Sequence, residues 1–213
     1  MTHKMNEFED FITVMIPQQV SNIADKTIPS PAEIYGWKDY IDRRLYINYE
    51  ITPTILDNIA YFIQLWNKDD EGVEAEDRIP IKIYINTDGG DLLETMHCCD
   101  VMTLSETPIH TICQAKALSA GILLLMSGHV RYAYIHSQGL VHSGSIGLGG
   151  SSDSVMDNMD SIRKHQDKIK QFILSKTKIT EETYQAQYRK EWNLDSDEML
   201  EYGIIDEIAT RVL

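Results

Sequence analysis

Long hydrophobic runs are missing from this sequence. The most apolar stretch covers only residues 121–126, far short of the roughly 20 residues a bilayer-spanning helix needs. The first eight residues are polar and charged, without the apolar segment of a signal peptide. Cysteine is scarce and unpaired in pattern. Cys98 and Cys99 are adjacent, Cys113 makes the count odd, and no C-x-x-C spacing occurs. That argues against a disulfide framework and a thiolate zinc site, and for a reducing, cytoplasmic setting. Positive charge is also short: 19 Lys and Arg against 33 Asp and Glu leave a net charge of −14. A duplex-binding surface needs the opposite sign to neutralise phosphates, so no nucleic-acid partner is expected. No basic amphipathic helix suggests membrane binding. None of the seven histidines sits in an H-E-x-x-H helix motif, so no metal and no cofactor are expected. What is present is ordinary for a globular protein: 43% hydrophobic and 24% charged residues in a chain of 213, enough for one well-cored domain.

Residues 1–37 are weakly patterned. Pro29 and Pro31 mark a turn-prone segment, so this part reads as an N-terminal arm or loop. From Arg43 the signals sharpen. Arg44-Leu45-Tyr46-Ile47 reads as a strand. Thr52-Pro53 reads as a helix start, followed by Ile55, Ile59, Phe62, Ile63 and Trp66 at helical spacing. Residues 67–78 read as a charged surface loop, and residues 81–86 as a β-branched strand. Further strands are expected at 109–113, 130–135 and 140–142, and a last one after Ile204-Ile205. Helices are expected at 92–104, 118–126 and 154–176, from Thr180, and ending at Glu201-Tyr202-Gly203. Strands alternating with helices imply βαβ units, so the class is α/β with a mainly parallel sheet. Residues 38–213 form one domain on this reading. The polar helix at 154–176 carries too little apolar surface for a core element and is expected to project toward another subunit.

Three segments carry chemical signals. Ala117-Leu118-Ser119-Ala120-Gly121 joins a strand to a helix. Nucleophilic serines are presented on such turns, and the new helix offers free N–H groups to an oxyanion. A small-residue turn that merely lets a helix pack on the sheet gives the same pattern. Asn86-Thr87-Asp88-Gly89-Gly90 ends a strand with two glycines, which permit close backbone approach and N–H groups aimed at an anion. A plain strand-to-helix turn reads identically. His142 closes the strand Gly139-Leu140-Val141 before a glycine-rich loop, at a strand end where α/β sheets gather catalytic groups. Each signal is modest, but their order along the chain is specific.

That order resembles the ClpP family of serine peptidases, which have a crotonase-like fold. Family members typically read I-N-S-P-G-G, T-I-C, A-A-S-M-G, M-I-H-Q-P and E-Y-G-L-V-D. This chain reads Ile85-Asn86-Thr87-Asp88-Gly89-Gly90, Thr111-Ile112-Cys113, Ala117-Leu118-Ser119-Ala120-Gly121, Leu140-Val141-His142 and Glu201-Tyr202-Gly203-Ile204-Ile205-Asp206. The resemblance implies Ser119 as nucleophile, His142 as general base, and the N–H groups of Gly90 and Ala120 as oxyanion hole. Counting back from Glu201-Tyr202-Gly203, the family's catalytic aspartate falls on Glu191, with Asp195 and Asp197 as rivals. Asp88 replaces the usual proline before the glycines, and Ser143-Gly144 replaces Gln-Pro after the histidine. The resemblance further implies a handle at about 147–176, with Gly147, Leu148 and Gly149 lining the substrate path. Lys190 stands where the family has a basic residue coupling ring contact to the site. The implied assembly is a homo-oligomer, a heptameric ring or double ring, fed unfolded polypeptide by an AAA+ unfoldase. Two other readings stay open: an inactive or regulatory ring subunit, and a crotonase-type acyl-CoA enzyme.

Overall fold

The computed structural model describes residues 30–144, 152–187 and 190–213. Helix α1 (Pro31–Ile41) opens on a capping box. The Ser30 hydroxyl accepts from the Glu33 N–H at 3.3 Å, and the Glu33 carboxylate accepts from the Ser30 N–H at 2.6 Å. Here the structure departs from the loop expected around Pro31. That proline stands in the first turn, where its missing N–H costs nothing, so it starts a helix that runs across the anticipated boundary at 37/38.

Strand β1 (Arg44–Ile47) follows, then helix α2 (Pro53–Asp69). Thr52 caps α2, whose buried face is Ile55, Leu56, Ile59, Ala60, Phe62, Ile63 and Trp66. The chain continues through β2 (Ile81–Thr87), α3 (Leu92–Leu104), β3 (Ile109–Leu118), α4 (Ala120–Met126), β4 (Val130–Ala133) and β5 (Gln138–Val141). It ends with α5 (Ser152–Lys176), α6 (Glu181–Gln187), β6 (Trp192–Leu194), α7 (Ser196–Glu201) and β7 (Glu207–Ile208).

The sheet runs β1-β2-β3-β4-β7, with β5 paired to β3 and β6 to β5. Every pairing is parallel except β5–β6. The α/β class and the mainly parallel sheet follow from helical crossovers between β1, β2, β3 and β4. Strand β3 is long and pairs twice. Its first half lies beside β4 (His110↔Val130) and its second beside β5 (Lys116↔Gln138). The end of β3 therefore emerges between β2 and β5, the two strands that carry the other site segments. Helix α4 is buried on every side, as a helix apolar all round must be. It packs on β3 beneath the site. Helix α5 is roughly 37 Å long at 1.5 Å per residue. Asp153, Met156 and Met159 near its start are exposed and Ile173 near its end is buried. It thus leaves the domain as a projection. Among the described residues no helix is long and apolar enough to cross a membrane.

Candidate active site

Ser119 is placed by a strained turn. It is the N-cap of α4 with φ 56° and ψ −121°, left-handed backbone that a serine adopts only when its surroundings impose it. Its N–H donates to the Leu140 carbonyl at 3.0 Å, which ties the turn to β5. Two residues further on, just past the end of β5, His142 reaches back. Its Nε2 lies 2.7 Å from the Ser119 Oγ. With the ring proton on Nδ1, Nε2 accepts from the serine hydroxyl, the arrangement a general base needs. Both side chains are half-buried and line a cleft.

The double-glycine turn abuts this pair. Gly89 (φ 107°) packs so closely that a Cβ there would lie 2.8 Å from both the Leu118 carbonyl oxygen and the Ser119 Cβ. Gly90 (φ 152°) bridges to Ile51, against whose carbonyl a Cβ would clash. The neighbouring amides are committed: Gly89 N–H donates to Thr87 Oγ1 and Asp91 N–H to the Ile51 carbonyl. The N–H groups of Gly90 and Ala120 donate to no other described residue. Both residues line the cleft with Ser119 and His142. Two uncommitted amides beside a serine hydroxyl can hold an oxyanion. The cleft, of about 120 Å³, is also lined by apolar Leu92, Ile122, Leu123 and Ile173 and by polar Ser143 and Gln166.

Glu191 is exposed, and its carboxylate makes no hydrogen bond to His142 among the described residues. Val141↔Trp192 is the last pair of the antiparallel β5–β6 ladder, so His142 and Glu191 each stand one residue beyond its end. By the same register Asp195 falls opposite Gln138, roughly 13 Å back along the strand. Its carboxylate is also engaged, accepting from Glu198 N–H at 2.8 Å to cap α7. Asp197 is exposed in the first turn of α7. Gly147, Leu148 and Gly149 lie outside the described residues.

Two groups were not legible in the sequence. Lys116 donates to both Asp88 oxygens at 2.6 Å, so the carboxylate that replaces proline is neutralised. Strand β6, which Glu191 immediately precedes, is only three residues long. The cysteines offer no competing nucleophile. All three are buried, and burial pushes Cys99 and Cys113 up to about 12 and Cys98 upward too. Away from the cleft, ligand atoms of Asp57, Glu94 and His97 lie within 4.8 Å of one another. Asp57 and His97 are exposed, as on an ordinary solvated face.

The Clp protease family pattern matches residues 40–212. One relative is the ATP-dependent Clp protease proteolytic subunit of Deinococcus radiodurans. It is 27% identical over 172 residues, spanning 80% of this chain and 81% of that protein. With the family match covering most of the sequence, this chain belongs to the Clp protease family.

Proposed function

We propose that this protein is a serine endopeptidase subunit of the ATP-dependent type, cleaving unfolded polypeptide inside a ring chamber. The 2.7 Å contact between His142 Nε2 and Ser119 Oγ carries the reading. His142 takes the hydroxyl proton as Ser119 attacks a peptide carbonyl. The N–H groups of Gly90 and Ala120 hold the developing oxyanion. Collapse of the adduct breaks the C–N bond, and His142 gives its proton to the departing amine. Water then attacks the acyl-serine by the same route and frees the enzyme. Glu191 is the acid that fixes the imidazole and stabilises its cation. Gly147, Leu148 and Gly149 line the path of the substrate. The chamber is a homo-oligomeric ring, heptameric by family resemblance, and an AAA+ unfoldase supplies the chain. Enclosing the sites keeps a weakly selective peptidase from other proteins.

A fluorophosphonate probe tests the nucleophile. It should label the wild-type protein and leave Ser119→Ala unlabelled, with peptide turnover lowered at least ~10⁴-fold in the variant. Labelling that persists in Ser119→Ala would remove the assignment. A second reading, a ring subunit that only builds or gates the chamber, is favoured by the exposed Glu191, which makes no hydrogen bond to His142 among the described residues. Assembly without probe labelling would be its signature.

A further inference from the structure

Asp88 and Lys116 lie outside the proposed catalytic set, yet each flanks one half of the proposed oxyanion hole. Asp88 immediately precedes Gly89 and Gly90, and Lys116 stands three residues before Ser119 on β3. The Lys116 ammonium contacts both carboxylate oxygens at 2.6 Å. The ladder between their strands is broken here, with a register shift between Ile85 and Thr87 before the last pair, Thr87↔Ala117. Beyond that last ladder pair, the polar anchors of the turn run to the β1–α2 connection. Thr87 Oγ1 donates to the Tyr49 carbonyl at 2.6 Å, and Ile51 N–H donates to the Gly89 carbonyl at 2.8 Å. They do not hold the turn to the strand that carries the nucleophile.

The Lys116 and Asp88 side chains are 38% and 73% exposed, and an ion pair in that setting adds little to stability. Alignment is more sensitive than stability. Oxyanion donors act only when held at hydrogen-bond distance from the position the charge will take. A proline would stiffen this turn through its own ring, whereas an aspartate needs an external partner. Resting on the serine-peptidase reading, we propose that the Asp88–Lys116 pair is a positioning clamp. It holds the Gly90 N–H in register with the Ala120 N–H, and it makes acylation sensitive to ionic strength.

The test is the second-order rate of fluorophosphonate labelling of the full-length protein, as a function of pH and salt. Asp88→Asn and Lys116→Met should each lower the plateau rate about fivefold, without moving the midpoint of the pH profile, since His142 is untouched. The double variant should lose no more than either single one, and the exchanged pair Asp88→Lys/Lys116→Asp should recover most of the rate. Raising salt to about 1 M should bring the wild type toward the single variants and leave those variants unchanged. Single variants that label at the wild-type rate, losses that multiply in the double variant, or a shifted pH midpoint would each overturn the clamp. If the wild type is folded but takes no probe, the peptidase reading falls first, and the clamp falls with it.

Discussion

Glu191 has one methylene more than an aspartate, and its place one step beyond the β5–β6 ladder makes that length useful. In the proposed triad the longer side chain reaches from beyond the strand end to His142 Nδ1. Glu191→Gln should therefore cut turnover roughly 10³-fold, because an amide cannot stabilise the imidazolium. Asp195→Asn separates the rivals. Its carboxylate caps α7, so the substitution should cost at most about 1 kcal/mol of stability in denaturant melts and leave probe labelling within about twofold of wild type. The reverse pattern would move the acid to Asp195. Gly90→Ala tests the turn. A Cβ on Gly90 meets the Ile51 carbonyl at a φ that side chains rarely adopt, so labelling should disappear and the melting temperature should fall. At this scale Ser119, His142 and the glycines were legible because each is marked by residue type at a strand end. The Lys116 partner of Asp88 was not, since cross-strand pairing depends on a register break that no local pattern announces.

The β1 start, the end of α2 and the loop before β3 meet at one buried ion pair. Arg43 donates to both Asp70 oxygens, at 2.6 and 2.7 Å, and to the Ile79 carbonyl at 3.0 Å. Thr107 adds a 2.7 Å bond to the same carboxylate. Asp70 is the C-cap of α2, so this cluster fixes how the first crossover closes on the sheet. Hydrogen bonds from Arg43, then from Thr107, hold the Asp70 carboxyl below its ordinary value of 3.8 against the opposing effect of burial. A depressed carboxyl stabilises the fold above its unfolded value, and that stability is lost as pH falls through the folded one. Asp70→Ala should cost about 3 kcal/mol at pH 7 by leaving Arg43 unpaired. The gap to wild type should narrow in denaturant melts taken below about pH 3.8. A gap that stays constant to acid pH would show that the loss comes from packing instead. The sequence marked α2 and β2 through periodicity and β-branching. It hid α1, whose proline reads as a turn until Ser30 is seen as a cap, and β6, which is too short to show alternation.

At −14, copies of this chain repel one another, though salt screens exposed charges beyond about 8 Å. The proposed homo-oligomer must then draw on apolar contact, and α5 is one of several places where this chain leaves apolar groups uncovered. Met156 is 69% and Met159 42% exposed, near the outer end of a helix whose Ile173 is anchored in the core. The acidic balance and the poor apolar face of this helix were legible early. What would cover the helix in the proposed ring was not, because a homo-oligomer interface is written across two copies and leaves no periodic mark in one. If α5 is the contact between rings, Met156→Asp together with Met159→Asp should place charges where the partner needs a dry surface. Native mass spectrometry should then show single rings where the wild type gives a larger particle. The thermal unfolding of the protomer should change little, since neither methionine is buried within it. Particles of unchanged mass would place the contact elsewhere. A lost protomer transition would mean that α5 stabilises its own domain, and the oligomer would then have to be sought on the exposed face of α1, where Tyr35 and Ile41 are 64% and 65% exposed.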